Sequence, residues 1–327
     1  MSICEERQLR DVSRNSWNGS GCECPEYSII VPTYKRPDVL TLCLEHLANL
    51  DYPLDSIEVL VFDNGGKDHS GPVVERFKNR LPLSFVVNDG THGMGYSLNR
   101  GQRACRGAKV IEMNDDALVP PDLLQACDAV FASDPCIGCI GFRALEDGYH
   151  AAGDGIGRID ESGEVVGNFD RAHDGLLEVE HVYGFCYAYT REALRRGGVH
   201  DEVLLARDYS SGNRIETDHC LSLRRLGFKV VYDSSIAVRH LAKPRADYNE
   251  RSLRWKLNHT RNTLYLYLKH YGLFGKRCLA LRFTFLQDVG ILSAVRRPNR
   301  ANLAYFFTGL RGRISSYWHY SRYILGF

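Results

Sequence analysis

Short apolar runs alternate with amphipathic segments from residue 27 to residue 116. Four strands are predicted, in the runs YSIIVPTY, IEVLVFDN, LSFVVND and AKVIEMNDD. Three helices are predicted between them, in RPDVLTLCLEHLANL, PVVERFKNRL and GMGYSLNRGQRACRG, where apolar residues recur at helical spacing and Pro or Gly marks the ends. Strands that are continuous apolar runs and alternate with helices predict a mostly parallel sheet, with helices covering both faces.

The second half of the chain has a mixed pattern. Helices are predicted in PDLLQACDAVFAS, REALRRGG and ETDHCLSLRRLGF, and strands in CIGCIGFRAL, EHVYGFCYAYT and KVVYDSSIAVRHL, with a hairpin around GRIDESGEVVG. Beyond about residue 248 the sequence becomes helical, basic and aromatic. Together the two halves predict an α/β fold with a mostly parallel mixed sheet flanked by helices, followed by a helical C-terminal extension.

Composition and charge exclude several classes of protein. The chain has 327 residues and a formal net charge of +1, which is not the charge of a general nucleic-acid binder. Its 11 cysteines are scattered, without zinc-site spacing, and favour buried thiols in a reducing cytosol. The first residues lack the apolar segment of a signal peptide, and no apolar run reaches membrane-spanning length. We therefore expect a cytoplasmic protein.

Polar side chains follow three of the four N-terminal strands. They are Thr33, Asp63, Asn64, Asp115 and Asp116. Ligands of parallel sheets bind at the carboxyl ends of the strands, where these residues should meet. Carboxylates that converge there would repel without a cation, and oxygen ligands suit Mg²⁺ or Mn²⁺ holding a diphosphate. The alternative is that the aspartates in NDD only cap the helix that follows.

Two further acids and one histidine are candidates for chemistry. Glu216 and Asp218 lie at the start of a predicted helix, where acids are favoured by the helix dipole and where either could also serve as a general base. His240 follows the last predicted strand and would be a metal ligand only if it faced Asp116. Residue spacing alone leaves these alternatives open.

Five segments in sequence order resemble the family 2 glycosyltransferases. They are SIIVPTYKRPDVLTLCLEHL, VLVFDNGGKD, GMGYSLNRGQRACRGAKVIEMNDDALVPPDLL, VYGFCYAYTREALRRGGVHDE and ETDHCLSLRRLGFKVVYDSSIAVRH. The resemblance runs from Tyr27 to His240 and implies the GT-A nucleotide-sugar-binding fold. It divides the chain into an irregular leader (1–25), a glycosyltransferase domain (26–247, with a nucleotide-sugar half 26–120 and an acceptor half 121–247) and the C-terminal region (248–327).

The resemblance also implies roles for individual residues. The positions that match the donor site are Thr33, Arg36, Asp63, Asn64, Asn99, Arg103 and Asp115. Asp116 matches the last acid of the family's D-x-D motif, which binds Mn²⁺ or Mg²⁺, and His240 matches a later metal ligand. Asn114 stands where that motif has its first acid, so the motif here is incomplete.

For catalysis, the resemblance places Glu216 where the family has an aspartate base, and Asp218 remains a competing assignment. Tyr183 and Gly184 match the acceptor side. The implied activity is inverting transfer from a UDP-, GDP- or dTDP-linked sugar to an acceptor glycan, a lipid-linked glycan or a small molecule.

Alternative functions follow from the same residues. Asn114 and Glu216 allow an inactive sugar-nucleotide-binding or scaffold protein. A nucleotidyltransferase is disfavoured because VPTYKRPD lacks a glycine-rich basic loop, and a dehydrogenase is excluded because no G-x-G-x-x-G follows the first strand. The basic, aromatic C-terminal region predicts packing against the catalytic domain, a homodimer contact, or peripheral contact with the inner face of a membrane.

Overall fold

The computed structural model describes residues 24–65, 70–89, 93–147, 154–205, 213–242, 252–286, 296 and 299–326. The expected leader, apart from its last two residues, lies outside this part of the chain. The boundary expected after residue 247 lies outside it as well.

The first half is the predicted series of parallel strands and helices. Its strands are β1 (Tyr27–Thr33), β2 (Ile57–Asp63), β3 (Leu83–Val87) and β4 (Lys109–Met113), and its helices are α1 (Pro37–Ala48), α2 (Ser70–Phe77) and α3 (Met94–Ala104). The strands lie in the order β3-β2-β1-β4, and all neighbouring pairs are parallel. Every residue of β1 and β2 is buried, as expected for strands covered on both faces.

The second half extends the same sheet with strands of both directions. Its elements are β5 (Ala117–Leu118), α4 (Leu123–Ser133), β6 (Ile137–Leu145), β7 (Arg158–Ile159), β8 (Val165–Val166), β9 (Leu176–Glu178), β10 (Cys186–Thr190), α5 (Arg191–Gly197), α6 (Ile215–Arg225) and β11 (Lys229–His240). Strand β10 is antiparallel to both β4 and β6, and β11 is parallel to β6. The sheet is therefore mixed, and the carboxyl ends of β1, β4, β6 and β11 lie along one edge.

One predicted strand is shorter than expected. The run EHVYGFCYAYT was predicted to be extended throughout, but β10 begins only at Cys186, after a turn at Gly184 and Phe185. The carbonyl of Phe185 accepts a hydrogen bond from the backbone N–H of Asn114 (2.7 Å), which ties this turn to the end of β4. The turn carries Tyr183 out of the sheet and towards the residues described below.

Three helices form the C-terminal region: α7 (Leu253–Tyr271), α8 (Gly275–Phe285) and α9 (Arg300–Leu325). Helix α9 lies along α7 through small residues, and a Cβ at Gly312 would come within 3.0 Å of Thr260 and 3.1 Å of the Leu257 carbonyl. The predicted helical extension is confirmed. Within the described residues, none of the helices combines the length and the apolar character needed to cross a membrane.

Candidate active site

An arginine and two aspartates form a buried cluster where β1 and β4 end. The Thr33 hydroxyl donates a hydrogen bond to Asp115 (2.8 Å). The Arg36 guanidinium donates to Asp116 (2.8 Å) and also pairs with Asp115. Helix α4 begins only at Leu123, so neither aspartate caps it. The strand ends therefore bring these four predicted donor-side and metal-side residues together.

His240 links Asp116 to a carboxylate that sequence reasoning missed. Its Nε2 lies 3.5 Å from Oδ1 of Asp116, and its Nδ1 lies 2.9 Å from Oε2 of Glu146. The hydroxyl of Tyr183 lies 3.3 Å from the same Glu146 oxygen. A carboxylate behind an imidazole holds the proton on the nearer nitrogen and leaves the other nitrogen free to bind a metal. The position of Glu146 in the sequence could have indicated this contact. Glu146 directly follows β6, and β6 runs parallel to β11, so the ends of the two strands lie side by side.

The environment of Asp116 fits a divalent cation. Among the described residues, the nearest polar partner of its buried Oδ1 is the histidine nitrogen at 3.5 Å, which leaves this oxygen without a well-formed hydrogen bond. Two atoms that each lie about 2.1 Å from one Mg²⁺ are about 3 Å apart at right angles and farther apart at wider angles. Within the same part of the chain, no group of three or more His, Cys, Asp and Glu side chains could hold a metal, so Asp116 and His240 would act as a pair.

Neighbouring charges shift the pKa values of Asp116 and His240 in opposite directions. Burial alone would raise the pKa of Asp116, but the contact with His240 and the charge of Arg36 hold it below its ordinary value. Burial would lower the pKa of His240, whereas Asp116 and Glu146 raise it above its ordinary value. The carboxylate of Asp116 is thus ionised, whereas the two acids favour a proton on His240, which a metal ion would have to displace.

Glu216 lies at the start of α6, at a cavity that it shares with Tyr183, the residue that also contacts His240. A cavity of about 240 Å³ is lined by Ala144, Val165, Gly167, Phe169, Asp170, His181, Val182, Tyr183, Arg214, Glu216 and Thr217. Burial raises the pKa of Glu216, although its own backbone N–H and the charge of Arg214 oppose the rise. A carboxylate in an enclosed space with a raised pKa is the usual environment of a general base or acid.

Asp218 has a different environment, although it lies only two residues further along α6. One carboxylate oxygen accepts a hydrogen bond from His270 (2.7 Å) and the other from Lys269 (2.8 Å). Lys269 also pairs with Asp201 (2.8 Å). The structure therefore places Glu216 at the cavity, while Asp218 joins α6 to α7.

The end of β2 borders a second polar group, which matches the predicted nucleotide side. Asp63 accepts a hydrogen bond from the backbone N–H of Gly65 (2.6 Å). The Asn64 side-chain oxygen accepts hydrogen bonds from Asn88 (2.7 Å) and from Ser97 (2.7 Å). All of these side chains are buried, and their hydrogen bonds tie Asn64 to Asn88 and to Ser97 of α3.

On helix α3, Arg100 contacts this polar group, whereas the sequence indicated Arg103. Arg100 donates a hydrogen bond to Asn88 and lies over the ring of Phe62. Arg103 is 31% exposed and pairs with Glu202 (3.4 Å), away from the cluster. Asn99 holds the backbone of His200 through two hydrogen bonds of 2.9 Å. The signal for Arg100 was its helical spacing, three residues after Ser97 on the same face.

We expect Gly184→Ala to lower the activity of this site while leaving the fold intact. A Cβ at this position would lie 3.0 Å from both Cδ and Oε2 of Glu216, so the carboxylate would have to move. A shift of a few tenths of an ångström relieves this contact, so we expect a loss smaller than the roughly 10²-fold that a misplacement of about 1 Å can cost. The measurement is kcat beside the midpoint of thermal unfolding, with Gly71→Ala as the control because a Cβ there makes only an ordinary contact, 3.9 Å from Phe85. Equal kcat for Gly184→Ala and wild type would contradict the placement of Glu216.

The sheet order, the acids at the strand ends and the enclosed carboxylate beside them define a protein with the GT-A fold. Solved structures of this fold resemble the chain along most of its length. A Staphylococcus aureus TarS fragment (residues 1–349) in complex with UDP-GlcNAc matches with a TM-score of 0.64 at 15% identity, over 89% of this chain and 81% of that chain. The mannosyltransferase PcManGT from Pyrobaculum calidifontis, in complex with GDP-Man and Mn²⁺, matches with a TM-score of 0.56 at 18% identity, over 98% and 90%. These likenesses establish the fold.

The chain belongs to glycosyl transferase family 2, whose model matches residues 28–198. It is 24% identical over 219 residues to a Methanococcus voltae dolichyl N-acetyl-alpha-D-glucosaminyl phosphate 3-beta-D-2,3-diacetamido-2,3-dideoxy-beta-D-glucuronosyltransferase, covering 64% of each chain. It is also 24% identical to the Escherichia coli chondroitin synthase over 36% of this chain and 17% of that protein. The Bacillus subtilis putative glycosyltransferase EpsH is 28% identical over 32% of this chain and 29% of its own length, so the chain spans less than a third of these last two relatives.

Proposed function

We propose that this chain transfers a sugar from a nucleotide-sugar donor to an acceptor hydroxyl, with inversion at the anomeric carbon and with the help of Mn²⁺ or Mg²⁺. The observation that carries the proposal is the enclosed carboxylate of Glu216, which lies at one cavity with Tyr183, while Tyr183 also contacts the Glu146–His240 pair beside Asp116. A proton acceptor and a cation-binding pair thus lie on two sides of one aromatic residue.

The donor would lie along the edge formed by the strand ends. The group around Asp63, Asn64 and Arg100 would hold the nucleoside, and Arg36 would lie beside the diphosphate. Two named structural relatives support a nucleotide-sugar donor, because one was solved with UDP-GlcNAc and the other with GDP-Man and Mn²⁺. Asp116 and His240 would hold the cation, which would neutralise the charge that develops on the departing diphosphate.

In the reaction, Glu216 would accept the proton of the acceptor hydroxyl. The acceptor oxygen forms a bond to the anomeric carbon, and the bond from that carbon to the diphosphate oxygen breaks with its electron pair. The nucleoside diphosphate leaves on the opposite face of the sugar, so the configuration inverts. Arg36, which already holds two carboxylates in place, would stabilise the extra negative charge on the leaving group.

The activity should rise with pH over a range set by Glu216. Because burial raises the pKa of this carboxyl above its ordinary 4.5, its active, ionised form is lost at a higher pH than for an exposed glutamate. At saturating Mn²⁺, where protonation of His240 is suppressed, the acid limb of kcat/KM therefore lies above pH 4.5 and disappears in Glu216→Gln. The measurement is the pH profile of kcat/KM for wild type. An acid limb at or below the ordinary glutamate value would contradict an enclosed base.

Donor binding tests the proposal independently of turnover. A ligand that binds only the native state raises its stability, by about 2.7 kcal/mol when the ligand concentration is 100 times Kd. Thermal unfolding should be measured with UDP-, GDP- and dTDP-linked sugars, each with and without Mn²⁺. We expect one nucleotide class to raise the midpoint, and Mn²⁺ to increase the shift. No shift with any donor would contradict the proposal, and a shift without any turnover would favour an inactive binding protein.

A further inference from the structure

The last helix, α9, has an apolar face that no described part of the chain covers. Its members are Leu303, Phe307, Leu310, Ile314, Trp318 and Leu325. Phe307, Ile314 and Trp318 are 60%, 64% and 53% exposed, although side chains of this size and polarity are usually buried. We refer to these six residues as the outer stripe.

The outer stripe is continuous because its members follow the helical repeat. At about 100° per residue they fall within an arc of about 80°, and 26 residues make the helix about 39 Å long. On the opposite face, Gly309 and Gly312 lie against Lys256 and Thr260 of α7, and Ser316 donates a hydrogen bond to the Arg261 carbonyl (2.8 Å). The helix is thus fixed to the protein by one face and presents the outer stripe on the other.

Charge indicates what covers this face. Between residues 251 and 327 the sequence has fourteen Lys and Arg residues and a single acid, Asp288. Helix α9 itself contains no acid, and Arg300, Arg311 and Arg322 are exposed on it. A second copy would bring two such basic faces together with no acid on either helix to pair them. Anionic lipid headgroups would instead complement every one of these charges.

We propose that α9 docks on an anionic lipid surface, with the outer stripe at the boundary between headgroups and acyl chains and its arginines among the headgroups. A basic helix with Trp, Phe and Leu along one face has the composition of interfacial helices that lie in the membrane plane. Its arginines make the helix too polar to span a bilayer, in agreement with the hydropathy of the described helices. The inference stands apart from the proposed sugar transfer.

The docked helix would also set the position of the cavity relative to the membrane. Helix α9 packs on α7, and α7 binds Asp218 of α6 through Lys269 and His270. Glu216 lies on the same helix α6. A membrane bound to the outer stripe would therefore be connected to the catalytic edge by packed helices, rather than by a flexible linker.

The test is co-sedimentation of the full chain with vesicles of phosphatidylglycerol and phosphatidylcholine, compared with vesicles of phosphatidylcholine alone. We expect binding to the anionic vesicles that weakens as salt rises. Ile314→Asn with Trp318→Ser should lower the partition coefficient by about tenfold or more. Arg311→Glu with Arg322→Glu should lower it by about thirtyfold or more, since each basic residue near the surface adds about fivefold. Leu54→Asn, at an exposed position in the N-terminal half and outside the outer stripe, is the control.

Two results would overturn the proposal. One is that wild type fails to bind anionic vesicles, or binds no better than Ile314→Asn with Trp318→Ser. The other is a concentration-dependent dimer in sedimentation velocity that the same double variant abolishes, since a second copy would then cover the outer stripe. The thermal midpoint of each variant shows whether it is folded. Donor-induced stabilisation, measured on the same samples, reports on the proposed function separately.

Discussion

Glu216→Gln is expected to lower kcat for sugar transfer by about 10² to 10⁴-fold, the usual contribution of a general base. Glutamine keeps the size of the side chain but cannot accept the acceptor proton. The cavity around it is unchanged, so the donor-induced rise in thermal stability should be the same as in wild type. The measurement pairs initial rates of nucleoside diphosphate release with thermal unfolding in the presence of donor and Mn²⁺.

Asp218→Asn is the matched control, because it makes the same change two residues away on α6. Asp218 is buried between Lys269 and His270, so loss of its charge leaves Lys269, whose side chain is only 11% exposed, with one carboxylate partner fewer. We expect the free energy of unfolding to fall by about 3 kcal/mol, while kcat of the folded enzyme changes little. If Asp218→Asn were inactive and well folded while Glu216→Gln kept its rate, the roles of the two acids would be reversed.

Asp116→Asn is expected to remove the effect of Mn²⁺ on both donor binding and turnover. The amide keeps the size of the side chain but loses the charge that pairs with the cation. Metal ions supply several kcal/mol to such reactions, so kcat/KM should fall by about 10³-fold. Direct Mn²⁺ binding, measured by titration calorimetry with UDP present, gives a readout that does not depend on turnover.

Glu146→Gln provides a graded comparison at the same site. Glu146 would act through His240, and loss of such an orienting partner costs about 10 to 100-fold in metal affinity. We therefore expect Mn²⁺ affinity in the order wild type, Glu146→Gln, Asp116→Asn. Unchanged Mn²⁺ affinity in Asp116→Asn would mean that this carboxylate serves Arg36 alone and that the cation binds elsewhere.

The sequence carried enough information to place residues at the ends of strands. Thr33, Asp115 and Asp116 follow β1 and β4, and neighbouring parallel strands bring their carboxyl ends to one edge whatever the details of packing. His240 could be predicted for the same reason once β11 was recognised. The identity of the sheet edge thus followed from hydrophobic periodicity, and the structure confirms the GT-A fold.

Residues on helices were harder to assign, because their roles depend on which neighbour each face meets. Arg100 and Arg103 differ by less than one turn, and only the packing of α3 on the sheet shows that Arg100 faces Asn88. Likewise, Asp218 binds Lys269 of α7, which lies fifty-one residues later in the chain. A partner this distant in the chain cannot be predicted from the residues around Asp218.

The cavity beside Glu216 could not be predicted from the sequence for a related reason. Its walls come mainly from residues 181–183, which precede the turn, from the segment after β8 and from the start of α6. The extended conformation predicted for the whole run EHVYGFCYAYT would have kept Tyr183 in the sheet. The hydrogen bond from Asn114 to Phe185, formed between distant parts of the chain, accompanies the turn that places Tyr183 at the cavity.

The most direct measurement of the central claim is donor cleavage followed by proton NMR. Wild type would be incubated with the donor that stabilises it, with Mn²⁺ and with water as the acceptor, and the anomeric signal would be recorded before the free sugar equilibrates. An inverting enzyme with Glu216 as its base releases the anomer opposite to that of the donor, and Glu216→Gln releases none. Release of the same anomer as the donor, or equal cleavage by wild type and Glu216→Gln, would contradict the mechanism.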